Sequence, residues 1–148
     1  MGSYSRSWTK PKPEWTPLNA LTAIEDLIDY FYCVIGTKGL PNAIRYSACE
    51  LILTNLYTCG ALINKANLYL CMNQKAIKNN EKVRYSDYDI KKSVASAHDL
   101  FTETQWQMRQ LVKRPELDCR KKELARLEVA AGAQLGGWLN YLSSRGAR

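Results

Sequence analysis

The chain has 148 residues, of which 46% are hydrophobic and 24% charged, and its formal net charge is +7 at pH 7. That length supports a hydrophobic core without disulfides or metal, and that balance excludes a chain too polar to fold. The positive excess favours an anionic partner, nucleic acid or an acidic protein surface, although lysines solvated on helix faces give the same excess.

Residues 1–17 place Trp8 and Trp15 among Pro11, Pro13 and Pro17. Proline removes backbone donors and fixes φ, so this stretch reads as an extended arm rather than the start of a helix. Its tryptophans either dock on a neighbouring subunit or partner, or remain in a mobile tail. The arm has no apolar centre of the kind a signal peptide needs, and no stretch of the chain reaches the length of a membrane span. A soluble intracellular protein is expected.

Four amphipathic helices are predicted within a single domain over 18–148. In the first, over 18–36, Leu21, Ile24, Ile28, Phe31 and Ile35 recur at spacings of three and four, with Glu25, Asp26 and Asp29 opposite. Gly36, Gly39 and Pro41 supply its stop. The second, over 42–72, carries Ala48, Ile52, Leu56, Cys59, Ile63, Ala66 and Leu70 on one stripe. Between Arg45 and Lys75 only Glu50 and Lys65 are charged, so this helix is expected to bury more than one face, inside the bundle or against another subunit.

A polar, lysine-rich connection over 73–87 contains the loop-forming pair Asn79-Asn80 and a cap at Ser86 or Asp87. The third helix, over 87–113, steps through Ile90, Val94, Ala97, Phe101, Thr104, Met108 and Leu111. Pro115 ends it and suits the first turn of a fourth helix over 115–143, where Glu116 and Asp118 complement the dipole and Leu117, Leu124, Leu127, Ala131, Leu135, Trp138 and Leu142 form the stripe. With no alternating strand pattern, the expected fold is all-α, an antiparallel up-down-up-down four-helix bundle.

Catalytic chemistry has little material here. The one histidine, His98, lies beside an apolar stripe and has no acid three residues before it, so the Glu-x-x-His spacing of di-iron bundles is missing. No phosphate-binding glycine loop occurs, and Cys33, Cys49, Cys59, Cys71 and Cys119 form no C-x-x-C pair. Four of these cysteines sit among apolar residues of helical segments, where a free thiol behaves as a small buried hydrophobe. No catalytic residue, metal ligand or cofactor is assigned, and the acidic face of the first helix is read as solvated or as paired with basic residues of another chain.

The positive charge gathers in two places. Lys75, Lys78, Lys82, Arg84, Lys91 and Lys92 crowd the central connection, and Arg109, Lys113, Arg114, Arg120, Lys121 and Lys122 surround the turn after the third helix. Both are candidate phosphate contacts, although in an antiparallel bundle they need not share an end. Within the fourth helix, Gly136-Gly137 precedes Trp138. Interior helical glycine costs about 1 kcal/mol relative to alanine, which predicts either close approach of another helix with Trp138 as anchor, or a bend.

The string LEVAAGAQLGGWLNYL over 127–142 resembles the end of the last helix in the accessory variability determinant (Avd) family of diversity-generating retroelements. EDLIDYFY in the first helix and LPNAIRYSACELI at the second, with its turn at Pro41, Arg45 and Tyr46, resemble that family's corresponding segments. The resemblance spans roughly 20–142. It implies a basic protomer of a homopentameric barrel, cytoplasmic in a bacterial, archaeal or phage-encoded system. Such a protein binds the element's reverse transcriptase and its structured template RNA, with cDNA as a further nucleic-acid partner, and supports mutagenic cDNA synthesis and retrohoming without being an enzyme. Two rivals share the fold: the four-helix proteins encoded in intervening sequences of 23S ribosomal RNA genes, and a structural assembly subunit that clasps its neighbour through the tryptophan arm.

Overall fold

A computed structural model describes residues 15–146. Trp8, Pro11, Pro13 and the rest of the arm before Trp15 lie outside the described residues.

Helix α1 (Pro17–Ile35) starts where Thr16 caps it, its side chain accepting from the Asn19 N–H at 2.9 Å, with Pro17 at the first helical position. It ends at Gly36, and the chain reverses through Gly39, whose φ of +88° suits glycine. The predicted second helix is divided: a short helix α2 (Asn42–Arg45) precedes α3 (Ala48–Lys78). Tyr46 and Ser47 separate them, and the Ser47 hydroxyl donates back to the Ala43 carbonyl in competition with the regular ladder. At its other end α3 continues past Met72 to Lys78, because the polar run Asn73 to Lys78 contains good helix formers and the left-handed residue is Asn80, φ 59°.

Helix α4 (Asp87–Leu111) opens with a capping box: Ser86 Oγ accepts from the Asp89 N–H at 3.1 Å, and the Asp89 carboxylate accepts from the Ser86 N–H at 2.9 Å. After it, Pro115–Leu117 forms one turn of 3₁₀ helix that drives Leu117 into the core, so α5 (Lys121–Gly146) begins only after that turn.

Neighbouring helices run antiparallel, as the pairs between them show. Asn55 meets Gln107 while Leu62 meets Ser93, which orients α3 against α4. Arg109 reaches Glu128 while Asp87 reaches Arg145, which orients α4 against α5. Trp15 touches Trp138 while Arg120 touches Thr37, which orients α5 against α1, and Asn67 donates to the Pro17 carbonyl, which brings the end of α3 to the start of α1. The described residues form an all-helical bundle of four long helices, each packed on two others.

The core runs the length of the bundle from Leu117 and Leu40 at one end to Leu142 and Ile90 at the other, with Phe31, Phe101 and Trp138 as its largest members. All seven stripe residues of α4 from Ile90 to Leu111 are buried. In α1 the buried stripe is rotated from the predicted one, with Ala20, Leu27 and Val34 inside and Leu21 and Ile35 at its margin. Helix α3 buries Ile52, Leu56, Cys59, Ile63 and Ala66 on one side and leaves Leu51, Tyr57 and Leu68 more than half exposed, so within the protomer it buries one face. No helix of the described residues is long and apolar enough to cross a membrane.

Candidate nucleic-acid interface

The two basic clusters lie at opposite ends of the bundle, because the 73–87 connection joins the end of α3 to the start of α4 whereas the second cluster surrounds the turn from α4 to α5. They also differ in what faces them. At the second cluster, Arg109 meets the buried Glu128 at 3.3 Å, Arg114 meets Glu116 at 3.2 Å and Lys121 meets Asp118 at 3.2 Å. Arg120 donates to the Thr37 hydroxyl at 3.1 Å, and Lys113 donates to Gln110 at 3.0 Å. Lys122 alone of this set has no side-chain partner among the described residues. Three of these six cations face a carboxylate, and Arg109 and Arg120 each join two elements of the fold.

At the first cluster, none of Lys75, Lys78, Lys82, Arg84, Lys91 and Lys92 pairs with a carboxylate among the described residues. Of the nearby acids, Asp87 is bound to Arg145 at 3.0 Å and Asp89 closes the capping box, while Glu81 lies beside Lys75 and Arg84 without forming an ion pair. All six are exposed except Lys91, which is half-buried on the first turns of α4. This end therefore presents unneutralised cationic side chains to solvent, the arrangement that gives salt-dependent binding to phosphates.

Between α3 and α4 at this end runs a groove of about 430 Å³ lined by Lys65, Tyr69, Arg84, Tyr85, Lys92 and Ser96 among others. A second hollow, about 300 Å³, adjoins it through Arg84 and is lined by Lys75, Asn79 and Glu81. Asn73 holds the connection against α3: its Oδ1 accepts from the N–H groups of Arg84 at 3.2 Å and Tyr85 at 3.0 Å, and its Nδ2 donates to the Tyr85 carbonyl at 2.6 Å. The latch sets the Tyr85 ring on Tyr69, centroids 3.8 Å apart and planes at 10°, and Lys65 Nζ lies 5.8 Å from the Tyr69 centroid. Lys65, Tyr69, Asn73 and Tyr85 are absent from the sequence-derived candidates. Two signals for them exist in the chain, the (i, i+4) spacing of Lys65 and Tyr69 and the Arg84-Tyr85 dipeptide inside the basic connection.

Of the remaining candidates, Arg45, Gly137 and Trp138 make contacts within the protomer. Arg45 reads the end of α1: its Nε donates to the Ile35 carbonyl at 2.7 Å and one terminal nitrogen to the Thr37 carbonyl at 2.9 Å, while the other holds Asn42 Oδ1 at 2.8 Å. A guanidinium on the Ile35 carbonyl supplies a donor at the end of α1 and complements its dipole, and on the Thr37 carbonyl it adds a second donor beside the Leu40 N–H. Pro41 stands just before α2 and Tyr46 is exposed. Trp138 is buried within the protomer core, and what closely approaches Gly137 is a side chain rather than a helix: a Cβ there would lie 2.8 Å from Cβ of Trp15. Gly136 has open space beside it.

Among the described residues no group of three or more His, Cys, Asp or Glu is close enough to hold a metal ion. Cys49 and Cys59 are buried, and burial pushes the Cys59 thiol up to about 12, whereas Cys33, Cys71 and Cys119 are exposed, fewer buried thiols than their apolar neighbours suggest. The charge of Glu128 is costly where it sits, since burial raises its carboxyl above the ordinary glutamate value while Arg109 and Gln105 oppose the rise.

The fold and its basic end define a class, an all-helical bundle of four long helices with an unpaired cationic end. No family model, curated protein or solved structure matches the chain.

Proposed function

We propose that this protein is a non-catalytic accessory subunit of a diversity-generating retroelement, one that holds the element's reverse transcriptase and structured template RNA together for mutagenic cDNA synthesis. The observation that carries the reading is the cationic end of the bundle, where Lys75, Lys78, Lys82, Arg84 and Lys92 face solvent and none of them forms an ion pair among the described residues. The ending Gly136-Gly137-Trp138 and the Arg45-Tyr46 turn add the resemblance to the accessory variability determinant proteins. Chemistry belongs to the polymerase in this reading, and the bundle contributes position and charge.

Assembly into a homopentamer is part of the proposal. Its support is the solvent side of α3, where Glu50 and Lys65 are the only charges between Arg45 and Lys75 and Leu51, Tyr57 and Leu68 stay more than half exposed. Exposed apolar residues on the solvent side of a helix suit contact with another subunit.

Light scattering of the purified protein, alone and with the neighbouring reverse transcriptase and a structured RNA from the same locus, tests the reading. The expected result is a pentamer that passes into a larger complex and dissociates as salt rises. Charge reversal at Lys75, Lys78 and Lys82 should lower the slope of log K against log salt by about one for each phosphate that is no longer neutralised. An open, concentration-dependent polymer would favour the assembly-subunit rival, and a monomer indifferent to RNA and polymerase would refute the accessory role.

A further inference from the structure

Resting on the nucleic-acid reading above, we propose that the groove between α3 and α4 is a site for single-stranded nucleic acid, with an unpaired base stacked on Tyr85 and adjoining phosphates against Lys92 and Arg84. Asn73 fixes the backbone at Arg84 and Tyr85 with three hydrogen bonds and Tyr69 stacks on the Tyr85 ring, so that ring is positioned before any ligand arrives and Arg84 extends from a fixed backbone beside it. Tyr69 supports one face of the Tyr85 ring, and the other face has no ring or cation partner among the described residues. Neither phenol hydroxyl makes a hydrogen bond among the described residues. Latching the connection to α3 is already the work of Asn73, which leaves the half-buried aromatic pair as a platform at the edge of a cationic groove.

Such a platform selects for strand state. In a duplex each base face is covered by its neighbours and only phosphates are presented, whereas an unpaired base offers its face to an aromatic ring while its phosphates meet lysine and arginine. Lys65, over Tyr69 at 5.8 Å, is free to swing toward a phosphate because no carboxylate holds it. Asp89 is the one acid lining the groove, and its carboxylate is occupied by Ser86 through both the backbone N–H and the hydroxyl, at 2.9 and 3.1 Å. Stacking of this kind tolerates any base, so the site reads single-strandedness rather than sequence.

The test compares an unstructured labelled RNA oligonucleotide with a blunt RNA duplex of equal length, by fluorescence anisotropy at one low salt concentration, with circular dichroism as the check on folding. Tyr85→Leu should weaken single-strand binding by roughly 5- to 100-fold and leave duplex binding unchanged. Tyr85→Phe should keep wild-type affinity for both, and Lys92→Ala should weaken both. If Tyr85→Leu unfolds the connection, Tyr69→Leu and the Tyr85→Phe comparison still separate ring from latch. Single-strand affinity untouched by Tyr85→Leu, or an equal fall for strand and duplex, overturns the stacking site while the basic-end reading stands. A wild-type protein that binds neither RNA overturns both.

Discussion

Alanine at position 137 should destabilise this protein even though it improves the helix that contains it. The added Cβ would lie 2.8 Å from both Cβ and Cγ of Trp15 and 2.9 Å from its Cδ1. These atoms are the root of the side chain, so rotation of the ring gives no relief and Trp15 must leave. It now stacks with Trp138 at 6.1 Å between centroids and packs on Tyr141 at 5.2 Å. Two aromatic pairs at about 0.5–1.5 kcal/mol each outweigh the roughly 1 kcal/mol that alanine gains over glycine inside a helix, which leaves a net loss of order 1 kcal/mol. In a Trp15→Gly background those aromatic pairs and the clashing Cβ are gone, so the same Gly137→Ala change should stabilise by up to about 1 kcal/mol. Gly136, with nothing within 4 Å of its added Cβ, is the control, and Gly136→Ala should stabilise in both backgrounds. Urea unfolding of the four proteins of the cycle gives the coupling directly. If the Trp15 and Gly137 effects add to within about 0.5 kcal/mol, the tryptophan does not seat on the glycine and the close approach is refuted.

Other regions give equally definite expectations. Because Glu128 titrates higher in the folded protein than in the unfolded chain, the folded state binds more protons, so its contribution to stability is present at acid pH and is lost as pH rises through the folded value. Glu128→Gln should therefore flatten the fall in unfolding midpoint above the ordinary carboxylate range, and an unaltered pH profile would show that the carboxylate is solvated. Arg45→Met should cost about 1–3 kcal/mol by leaving the Ile35 carbonyl without its side-chain donor and the Thr37 carbonyl with the Leu40 N–H alone, and Arg45→Lys should recover only part, since one ammonium cannot span both carbonyls and Asn42. Equal stability of the three proteins by chemical denaturation would contradict that role. Alkylation of the native protein followed by mass spectrometry should modify Cys33, Cys71 and Cys119 first and reach Cys49 and Cys59 only on unfolding. Rapid labelling of Cys59 would mean that α3 and α4 separate readily.

What the sequence discloses and what it hides follow a physical line. The α4 stripe from Ile90 to Leu111 is legible in full because a capping box starts that helix and its apolar residues recur at steps of three and four without an overlapping stripe beside them. The α1 stripe reads a fraction of a turn away from its buried centre, since Ala20, Leu27 and Val34 alternate with equally apolar Leu21, Ile28 and Ile35 and periodicity alone cannot choose between overlapping stripes. The break at Tyr46 and Ser47 is invisible in the chain, for it depends on a serine hydroxyl choosing the Ala43 carbonyl and on Arg45 turning back to α1. Gly137 signals the need for a close neighbour, yet that neighbour, Trp15, belongs to a segment with no periodic signal to place it.

The basic clusters show the same limit at the level of function. Along the chain they look equivalent, two runs of six lysines and arginines beside turns. Their difference arises from residues distant in sequence: Glu128 comes from the middle of α5 to meet Arg109, and Thr37 comes from the end of α1 to meet Arg120. Local acids deepen it, because Glu116 and Asp118 sit within reach of Arg114 and Lys121, whereas Asp87 and Asp89 are drawn to Arg145 and to a helix cap. A cation already facing a carboxylate must break that pairing to take a phosphate, so the end carrying Lys75, Lys78, Lys82, Arg84 and Lys92 has the stronger attraction for an anionic chain. The groove with Tyr69 and Tyr85 opens at that same end, which places the aromatic platform where the phosphates would be held.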